Sequence, residues 1–336
     1  MCIDTTQKFP LRERARQTSK AALAGGSLRP LATSHTVVQD GGIPFTVFSL
    51  DEKALAAKKR GGASVCGRKQ RFSGLPPNPF AGENRDPALV VGDVGNRHTC
   101  ILNKFNVLDD HALIITNSFE PQSAPLTADD LAAFFAGVTA LPGVGFFNSG
   151  PQSGASQRHR HMQLVPYDTL RALHADATTP ALPLNTLVRA AAAAARRAPR
   201  PGATFTLPQL KLRHAVRLLD PAVAGDCGGS GGGGGGAAAV GAYLKRQYDE
   251  LLRDVGYAFP VLRANSFTGQ APFDDIAGAA AAEAQQCGGA RRGGGAAAGY
   301  NLVLTRDYMF VVARARAPRT PPPASTSTRW ASWGAC

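Results

Sequence analysis

Two histidines and a glutamine at alternate positions are the residues of this sequence best suited to chemistry. His159, His161 and Gln163 stand at i, i+2 and i+4, so in a β-strand their side chains point to the same face. Met162 and Leu164 then turn towards the core. The preceding loop is rich in Ser and Gly, and its backbone N–H groups can surround phosphate oxygens. The combination indicates phosphate chemistry.

His161 is the candidate nucleophile. A neutral imidazole attacks phosphorus when one ring nitrogen is unprotonated and an acceptor holds the N–H of the other, and a backbone carbonyl near His159 can be that acceptor. Gln163 can hold a phosphate oxygen without delivering a proton. The hydroxyl groups of Ser153 and Ser156, with the N–H groups of the loop, can stabilise the charge that grows in the transition state.

Two other interpretations of the His-x-His pattern are open. Histidines at i and i+2 on a strand also coordinate zinc or iron, but such a site needs a third ligand, and the third residue on this face is Gln163. Alternatively, these are two surface histidines on an edge strand with no function. The Ser/Gly loop and Gln163 favour phosphate chemistry over both, so no metal ligand is predicted.

The elements that must position these residues are predicted between residues 89 and 168. A turn at Asp109-Asp110 connects a hairpin, and a helix follows with Thr127 as its N-cap and an apolar face over residues 131–141. This order favours an α+β fold, mainly an antiparallel sheet with flanking helices, over alternating βαβ units. The predicted strands are residues 89–94, 98–107, 111–117, 144–148 and 159–168.

The remaining chain predicts fewer elements. Leu244, Tyr248, Leu251 and Leu252 lie on one side of a predicted helix. The predicted helices are residues 14–24, 190–197 and 243–255, and the predicted strands are residues 211–220, 300–305 and 308–312. Two Gly/Ala tracts and a Pro/Ser/Thr-rich tail are predicted to be disordered, residues 228–236, 277–298 and 315–336.

Composition restricts the partners and the compartment. The 37 Lys and Arg residues exceed the 24 Asp and Glu residues, a net charge of +13 that suits an anionic partner. Basic residues do not cluster with aromatic ones, so nucleic acid is not expected. There is no run of 18 apolar residues, so a membrane span is not expected. Residues 1–20 lack the continuous apolar segment of a signal peptide, so a secretory signal is not expected either. We expect a cytoplasmic protein with reduced cysteines, a plastid location being the alternative.

Six blocks, in order along the chain, carry a resemblance to a known family. In the central block, Asn-Ser-Gly-Pro-x-Ser-Gly-Ala-Ser is followed by His-x-His-x-Gln. This block closely resembles the signature of the diadenosine tetraphosphate phosphorylases, which are ATP adenylyltransferases of the histidine-triad superfamily with Gln in place of the third histidine. The blocks are residues 41–45, 78–80, 98–107, 122–131, 148–163 and 300–305.

The resemblance implies an activity and a set of site residues. The activity is reversible phosphorolysis of diadenosine tetraphosphate with phosphate to ATP and ADP, through AMP bound covalently to His161. His159 would support the strand and the tautomer, and Gln163 would bind the adenylyl phosphate. The implied substrate-binding residues are Asn148, Ser149, Gly150, Ser153, Gly154, Ala155, Ser156, Asn103, Lys104, Lys58 and Lys59.

The resemblance also implies the organisation of the chain. A histidine-triad or uridylyltransferase-like fold would comprise an N-terminal part, residues 1–176, and a C-terminal part, residues 204–316. Low-complexity insertions are placed at residues 226–241 and 277–299, and a disordered tail at residues 317–336. Mg²⁺ would accompany the polyphosphate, without an organic cofactor. A monomer or weak homo-oligomer is expected.

One departure from the family keeps other functions open. The family continues its last hairpin with a Pro-Arg-Ser turn and a glycine-rich strand, whereas residues 311–316 here run into a Pro/Thr-rich tail. A non-catalytic nucleotide-binding relative is one alternative, and a hydrolase of the same superfamily is another. A hexose-phosphate uridylyltransferase fits less well, because Arg160 stands where that family has proline.

Overall fold

The computed structural model of the chain describes residues 10–50, 77–174, 179–194, 200–226, 235–257 and 299–314. The helices in these ranges are α1 (Leu11–Ala24), α2 (Ala128–Ala140), α3 (Tyr167–Arg171), α4 (Pro183–Ala194), α5 (Pro221–Asp226) and α6 (Gly235–Asp254). The strands are β1 (Thr33–Asp40), β2 (Ile43–Leu50), β3 (Val90–Val94), β4 (His98–Leu102), β5 (Ala112–Thr116), β6 (Gly143–Asn148), β7 (His161–Pro166), β8 (Thr204–Phe205), β9 (His214–Leu218), β10 (Gly299–Leu304) and β11 (Tyr308–Arg314).

Nine of the described strands form one antiparallel sheet. Their order is β3-β4-β5-β7-β6-β10-β11-β9-β8, while β1 and β2 form a separate hairpin. Strand β7, which begins at His161, pairs with β5 on one edge and β6 on the other. Strand β6 also pairs with β10, so the N-terminal and C-terminal parts of the chain contribute to the same sheet. The predicted α+β fold with a large antiparallel sheet is confirmed.

Helix α2 covers one face of this sheet. The side chain of Thr127 accepts a hydrogen bond from the backbone N–H of Asp130, and Asp130 accepts one from the backbone N–H of Thr127, which completes a capping box. The side chains of Leu131 and Phe134 are fully buried. Leu164 of β7 lies directly beneath α2, close to Gly137. The apolar face that the sequence predicted therefore packs on the back of the strand that carries the histidines.

Helix α6 packs beside α2 and connects it to the C-terminal hairpin. The hydroxyl groups of Tyr248 and Tyr300 are hydrogen-bonded, and the Tyr248 hydroxyl also accepts from the backbone N–H of Leu126. Helix α6 begins at Gly235, well before the predicted residue 243. The interpretation that residues 228–236 cannot hold a structure is wrong for Gly235 and Gly236, because the alanines that follow extend the helix and Val240 is buried in the core.

Several strands are shorter than predicted, among them β4, β7 and β9, which were predicted at residues 98–107, 159–168 and 211–220. Strand β4 ends at Leu102 because the backbone carbonyls of Lys104 and Asn106 accept from residues 29 and 31 instead of continuing the sheet. Strand β7 begins at His161, and His159 forms only an isolated bridge with Pro121. The β1–β2 hairpin was not predicted, although Gly41-Gly42 between two strand-forming runs is a hairpin signal.

None of the helices in the described ranges is long and apolar enough to cross a membrane. Within those ranges Cys100 is the only cysteine, and burial raises the pKa of its thiol to about 12. The two predicted insertions lie outside the described residues except for Asp226, residues 235–241 and Gly299. The predicted tail at residues 317–336, Lys58 and Lys59 also lie outside them. The division into two parts near residue 176 stays a prediction.

Replacement of Gly241 tests the contact between α2 and α6. A Cβ atom at Gly241 would lie 2.5 Å from the backbone oxygen of Ala128, so the two helices would have to separate. We expect Gly241→Ala to lower the free energy of unfolding by about 1–3 kcal/mol. The control is Gly236→Ala on the same helix, where a Cβ atom has no neighbour within 4 Å. Equal urea midpoints for the two variants would contradict this packing.

Candidate active site

His161 is buried at the start of β7, with only 4% of its surface exposed. Its Nδ1 lies 2.9 Å from the backbone oxygen of His159. Because a carbonyl oxygen can only accept, Nδ1 carries the proton and Nε2 carries the lone pair. The acceptor that the sequence placed near His159 is therefore the His159 carbonyl itself.

The protonation state of His161 suits a nucleophile. Burial lowers the pKa of this imidazole from 6.5 to about 4, against the raising effect of the hydrogen bond to His159. The ring is therefore neutral at neutral pH, and its Nε2 has an available electron pair.

His159 supports its neighbour without an exposed nitrogen of its own. Its Nε2 lies 2.8 Å from the backbone oxygen of Thr116 and so donates, while its Nδ1 accepts from the Nδ2 of Asn78 at 2.9 Å. The ring of Phe80 contacts both imidazoles, with centroid distances of 5.8 Å to His159 and 5.5 Å to His161. Since both ring nitrogens of His159 are hydrogen-bonded, this residue holds the backbone that precedes His161 in place.

The amide of Gln122 fills the gap where β6 and β7 separate. The last paired residues of these strands are Phe146 and Gln163. Beyond them, Oε1 of Gln122 accepts from the backbone N–H of His161 at 2.8 Å, and Nε2 donates to the backbone oxygen of Asn148 at 2.8 Å. One side-chain amide thus replaces the missing rung of the ladder. It fixes the nucleophile and the start of the Ser/Gly loop relative to each other.

The predicted partner Gln163 is also buried, on the same face as His161. Its Oε1 lies 3.1 Å from Nε2 of His111, whose Nδ1 lies 3.3 Å from Nδ2 of Asn103. The structure therefore connects Asn103 to the histidine strand through His111, and the predicted contact of Asn103 with the nucleotide stays a prediction. Lys104 turns away to Asp86, with Nζ and Oδ2 3.5 Å apart.

The loop over residues 148–156 closes on itself. The N–H groups of Ser153 and Ala155 both donate to the carbonyl of Gly150, and that of Gly154 donates to the carbonyl of Pro151. Gly154 is in the left-handed region with φ +96°. The expectation that all N–H groups of the loop face phosphate oxygens is wrong for these three, because the turn over residues 151–153 uses them.

The serines of this loop divide into two classes. Ser149 and Ser153 are buried, and their hydroxyl oxygens lie 3.2 Å apart. Ser149 Oγ also accepts from the backbone N–H of Tyr300 at 2.8 Å. Both hydroxyl groups support the loop in this conformation, whereas Ser156 is exposed. Phosphate contact by Ser156 stays a prediction.

The C-terminal hairpin holds the same loop. Nδ2 of Asn301 donates to Oδ1 of Asn148 at 2.6 Å and to the backbone oxygen of Ser153 at 2.8 Å. Arg314 in turn donates to Oδ1 of Asn301. The hairpin over residues 299–314 thus completes the loop at the site, even though the sequence after it departs from the family pattern.

A buried ion pair lies on the other face of the histidine segment. Arg160 and Asp130 are 2% and 3% exposed in their side chains, and NH1 lies 2.7 Å from Oδ2. The second carboxylate oxygen of Asp130 lies 2.8 Å from Nε2 of His98. Burial raises the pKa of Asp130, but His98, Arg160 and Thr127 together lower it below 3.8. The carboxylate is therefore ionised and ties helix α2 to the segment between the two histidines.

The two histidines have no third metal ligand beside them among the described residues. In the described part of the chain, no group of three His, Cys, Asp or Glu side chains could hold a metal ion. His159 could become a ligand only by giving up its bond to Thr116 or to Asn78.

Several residues of the site carry no local sequence signal for their role. Asn78 and Gln122 fall inside the resemblance blocks, but nothing near them in the sequence indicates that their amides hold His159 and His161. His111 was predicted only as part of a strand. A buried polar residue inside an apolar strand is a usable signal, and the sequence Asp-Asp-His-Ala-Leu-Ile-Ile offers it.

Loss of the Asp130 charge should destabilise the fold. Asp130→Asn removes the nearest carboxylate from the buried guanidinium of Arg160, which keeps only the partly exposed Glu120 at 3.7 Å. Removal of one partner from a buried ion pair costs about 3–5 kcal/mol, and Glu120 should hold the loss near the lower end of that range. The matched control is Asp129→Asn, since Asp129 is 61% exposed and pairs with Arg97 at 3.5 Å. That variant should lose at most about 1 kcal/mol. Urea unfolding of both variants measures their free energies of unfolding. A similar decrease in the two variants would contradict the burial of the Arg160–Asp130 pair.

The buried imidazoles should make stability depend on pH. The pKa values of His111 and His161 are lowered from 6.5 to about 4. Between these values the unfolded chain takes up protons that the folded chain does not. Stability should therefore fall as the pH is lowered from about 6.5 to about 4, by up to about 1.4 kcal/mol per pH unit for each histidine.

Urea unfolding across this pH range measures the effect. His111→Gln should flatten the dependence, whereas His35→Gln, at an exposed site of β1, should leave it in place. A free energy of unfolding that is the same at neutral and at acidic pH would show that these rings are not held neutral.

Comparison with known proteins identifies the family. Residues 4–190, more than half of the chain, match the family described as Ap4A phosphorylase N-terminal domain. Diadenosine 5',5'''-P1,P4-tetraphosphate phosphorylase 2 of Saccharomyces cerevisiae is 35% identical over 102 residues, which are 26% of this chain and 31% of the yeast protein. Protein APA1 of the same yeast is 28% identical over 158 residues, 44% of this chain and 46% of that protein. The matched stretches thus span less than half of either relative.

Solved structures agree on the fold. The crystal structure of yeast Ap4A phosphorylase Apa2 aligns with 93% of this chain and 84% of its own, with a TM-score of 0.56 and 19% identity. The complex of the same yeast protein with Ap4A aligns with 93% of this chain and 83% of its own, with a TM-score of 0.53 and 19% identity. The match over residues 4–190 contains the Ser/Gly loop and the H-x-H-x-Q segment, and it confirms the resemblance. The chain belongs to the Ap4A phosphorylase family.

Proposed function

We propose that this chain is an ATP adenylyltransferase that cleaves diadenosine tetraphosphate with phosphate, giving ATP and ADP through AMP bound to His161. The observation that carries the proposal is the state of that side chain. It is a buried, neutral imidazole whose Nδ1–H is held by the His159 carbonyl, leaving the lone pair on Nε2. Membership of the family and the name of one curated yeast relative, diadenosine 5',5'''-P1,P4-tetraphosphate phosphorylase 2, support the substrate.

The first step forms a bond between nitrogen and phosphorus. Nε2 of His161 attacks the α-phosphorus of one adenosine, and the bond from that phosphorus to its bridging oxygen breaks. The leaving group keeps the bridging oxygen and departs as ATP, while AMP stays on the imidazole. Because the N–H of Nδ1 remains on the His159 carbonyl, the positive charge that develops on the ring is stabilised without a proton transfer.

The second step reverses the chemistry with a different acceptor. An oxygen of inorganic phosphate attacks the phosphorus of the bound AMP, and the bond to Nε2 breaks. The products are ADP and the neutral imidazole with which the cycle began. Both steps pass through a transition state with extra negative charge on the non-bridging oxygens, which donors such as Gln163 would stabilise.

The remaining predicted residues would bind the rest of the dinucleotide. Asn148 and Ser156 lie at the two ends of the loop, along the path proposed for the polyphosphate. A divalent cation such as Mg²⁺ would travel with the polyphosphate oxygens, since this ion keeps much of its water and binds phosphates. Asn103 and Lys104 would lie on the nucleoside side, and Lys58 or Lys59 would add charge.

An assay with and without phosphate tests the proposal. With phosphate, diadenosine tetraphosphate should give equal amounts of ATP and ADP over many turnovers. Without phosphate, the first step should stop after about one ATP per protein, and mass spectrometry of the quenched protein should find AMP on His161. Continued turnover without phosphate to two ADP, or to ATP and AMP, would instead identify a hydrolase.

Variants of the nucleophile complete this test. His161→Asn keeps a donor for the His159 carbonyl but has no nucleophilic nitrogen, so turnover should fall by about 10³-fold or more. His174→Asn, which lies outside the site, is the control and should keep the wild-type rate. An AMP adduct on any residue other than His161, or normal turnover by His161→Asn, would refute the mechanism.

A further inference from the structure

We propose that His111 is a positioning residue that orients the amide of Gln163, so that its NH₂ group and not its oxygen faces the transferred phosphoryl group. The inference rests on the proposed function for the identity of that group. It assigns a role to a residue that has none in the catalytic steps described above.

The geometry places His111 behind Gln163. His111 directly precedes β5, and Leu113 of that strand is the register partner of Gln163 in β7. His111 is two residues before Leu113, so it lies on the same face, diagonal to Gln163. Its Nε2 is 3.1 Å from Oε1 of Gln163, and its exposed fraction is 2%. The ring of Phe146 packs against His111 at a centroid distance of 5.9 Å.

Asn103 sets the direction of the chain of hydrogen bonds. Its backbone N–H donates to the backbone oxygen of His111 at 2.9 Å, and its Nδ2 faces Nδ1 of the same residue at 3.3 Å. With Nδ2 as donor, Nδ1 of His111 accepts, so Nε2 carries the proton and donates to Oε1 of Gln163. The NH₂ group of Gln163 is then directed away from His111.

The opposite direction would defeat phosphate binding. If Asn103 presented its oxygen to Nδ1, that nitrogen would carry the proton and Nε2 would accept from the NH₂ group of Gln163. The amide oxygen of Gln163 would then face the phosphoryl oxygens. Its partial negative charge would be repelled by the negative charge on those oxygens. Orientation of this single amide thus decides whether Gln163 attracts or repels the transferred group.

Burial keeps the imidazole of His111 neutral, as this relay of hydrogen bonds from Asn103 through His111 to Gln163 requires. The pKa of His111 falls from 6.5 to about 4, mainly through burial, with a hydrogen bond to Gln163 raising it and the charge of His161 lowering it. A neutral ring has one donor and one acceptor, as the chain Asn103–His111–Gln163 requires. A protonated ring would present two donors and would oppose the NH₂ group of Asn103.

Kinetics of four variants test the role. His111→Phe keeps the ring volume and loses both hydrogen bonds, and we expect kcat for phosphorolysis to fall by about 10-fold or more, with a smaller change in KM for the dinucleotide. His111→Gln can place an amide donor near the position of Nε2 and should restore much of kcat. Gln163→Ala should be slower than wild type, and the double variant with His111→Phe should be no slower than Gln163→Ala.

Additive losses in the double variant would overturn the proposal, because His111 would then act independently of Gln163. A His111→Gln variant as slow as His111→Phe, with both folded to the same melting temperature, would also count against it. Equal melting temperatures are required of the pair so that a merely structural loss does not enter the comparison.

Nitrogen NMR tests the same relay without turnover. In the protein labelled with ¹⁵N at histidine, His111 should be the neutral form protonated at Nε2, whereas His161 should be protonated at Nδ1. A His111 protonated at Nδ1 would overturn the inference even in a fully active enzyme. Absence of phosphorolysis in wild-type protein would refute the proposed function, and the NMR result would still decide the orientation of the amide.

Discussion

The hydrogen bond from Nδ1 of His161 to the carbonyl of His159 is the interaction on which the site depends. It spans only two residues, so the backbone conformation at residues 159–161 sets the direction of the ring. That conformation is held from three sides. The imidazole of His159 is bonded to Thr116 and Asn78, and the backbone of His161 is bonded to the amide of Gln122. Each of these partners is neutral, so the imidazole of His161 is oriented without a charged hydrogen-bond partner that would favour its protonation.

Alternation of side chains along the histidine segment places the charge of Arg160 on the face opposite the two imidazoles. Arg160 stands between the two histidines in sequence, and its side chain turns to the opposite face, where Asp130 compensates it. The same carboxylate closes the capping box of α2 through Thr127. One ionised group thus anchors a helix and compensates a buried guanidinium on the face opposite the two histidines. The neutral relay through His111 extends this pattern, because dipoles and not charges orient Gln163.

The sequence predicts those features of the site that depend on signals within a few residues, such as side-chain alternation along a strand or a helix cap. Alternation placed His161 and Gln163 on one face, and the Thr127 cap located α2, because both signals lie within a few residues. The amide of Gln122 could not be predicted in its role, since it fills a gap between strands that exists only after the sheet has formed. The internal bonds of the loop were missed for a similar reason. Consecutive N–H groups suggest an anion site, and only the turn geometry shows that three of them are already used.

The C-terminal hairpin supports the Ser/Gly loop of the candidate site. Pairing of β6 with β10 brings Asn301 opposite Asn148, at the point where the Ser/Gly loop begins. The Asn301 amide donates to Asn148 at the start of the loop and to Ser153 at the end of the turn, so one side chain connects the two points. Arg314 fixes the orientation of that amide from the far strand. These contacts end within the hairpin itself. The departure from the family pattern after residue 314 therefore leaves these contacts to the loop intact.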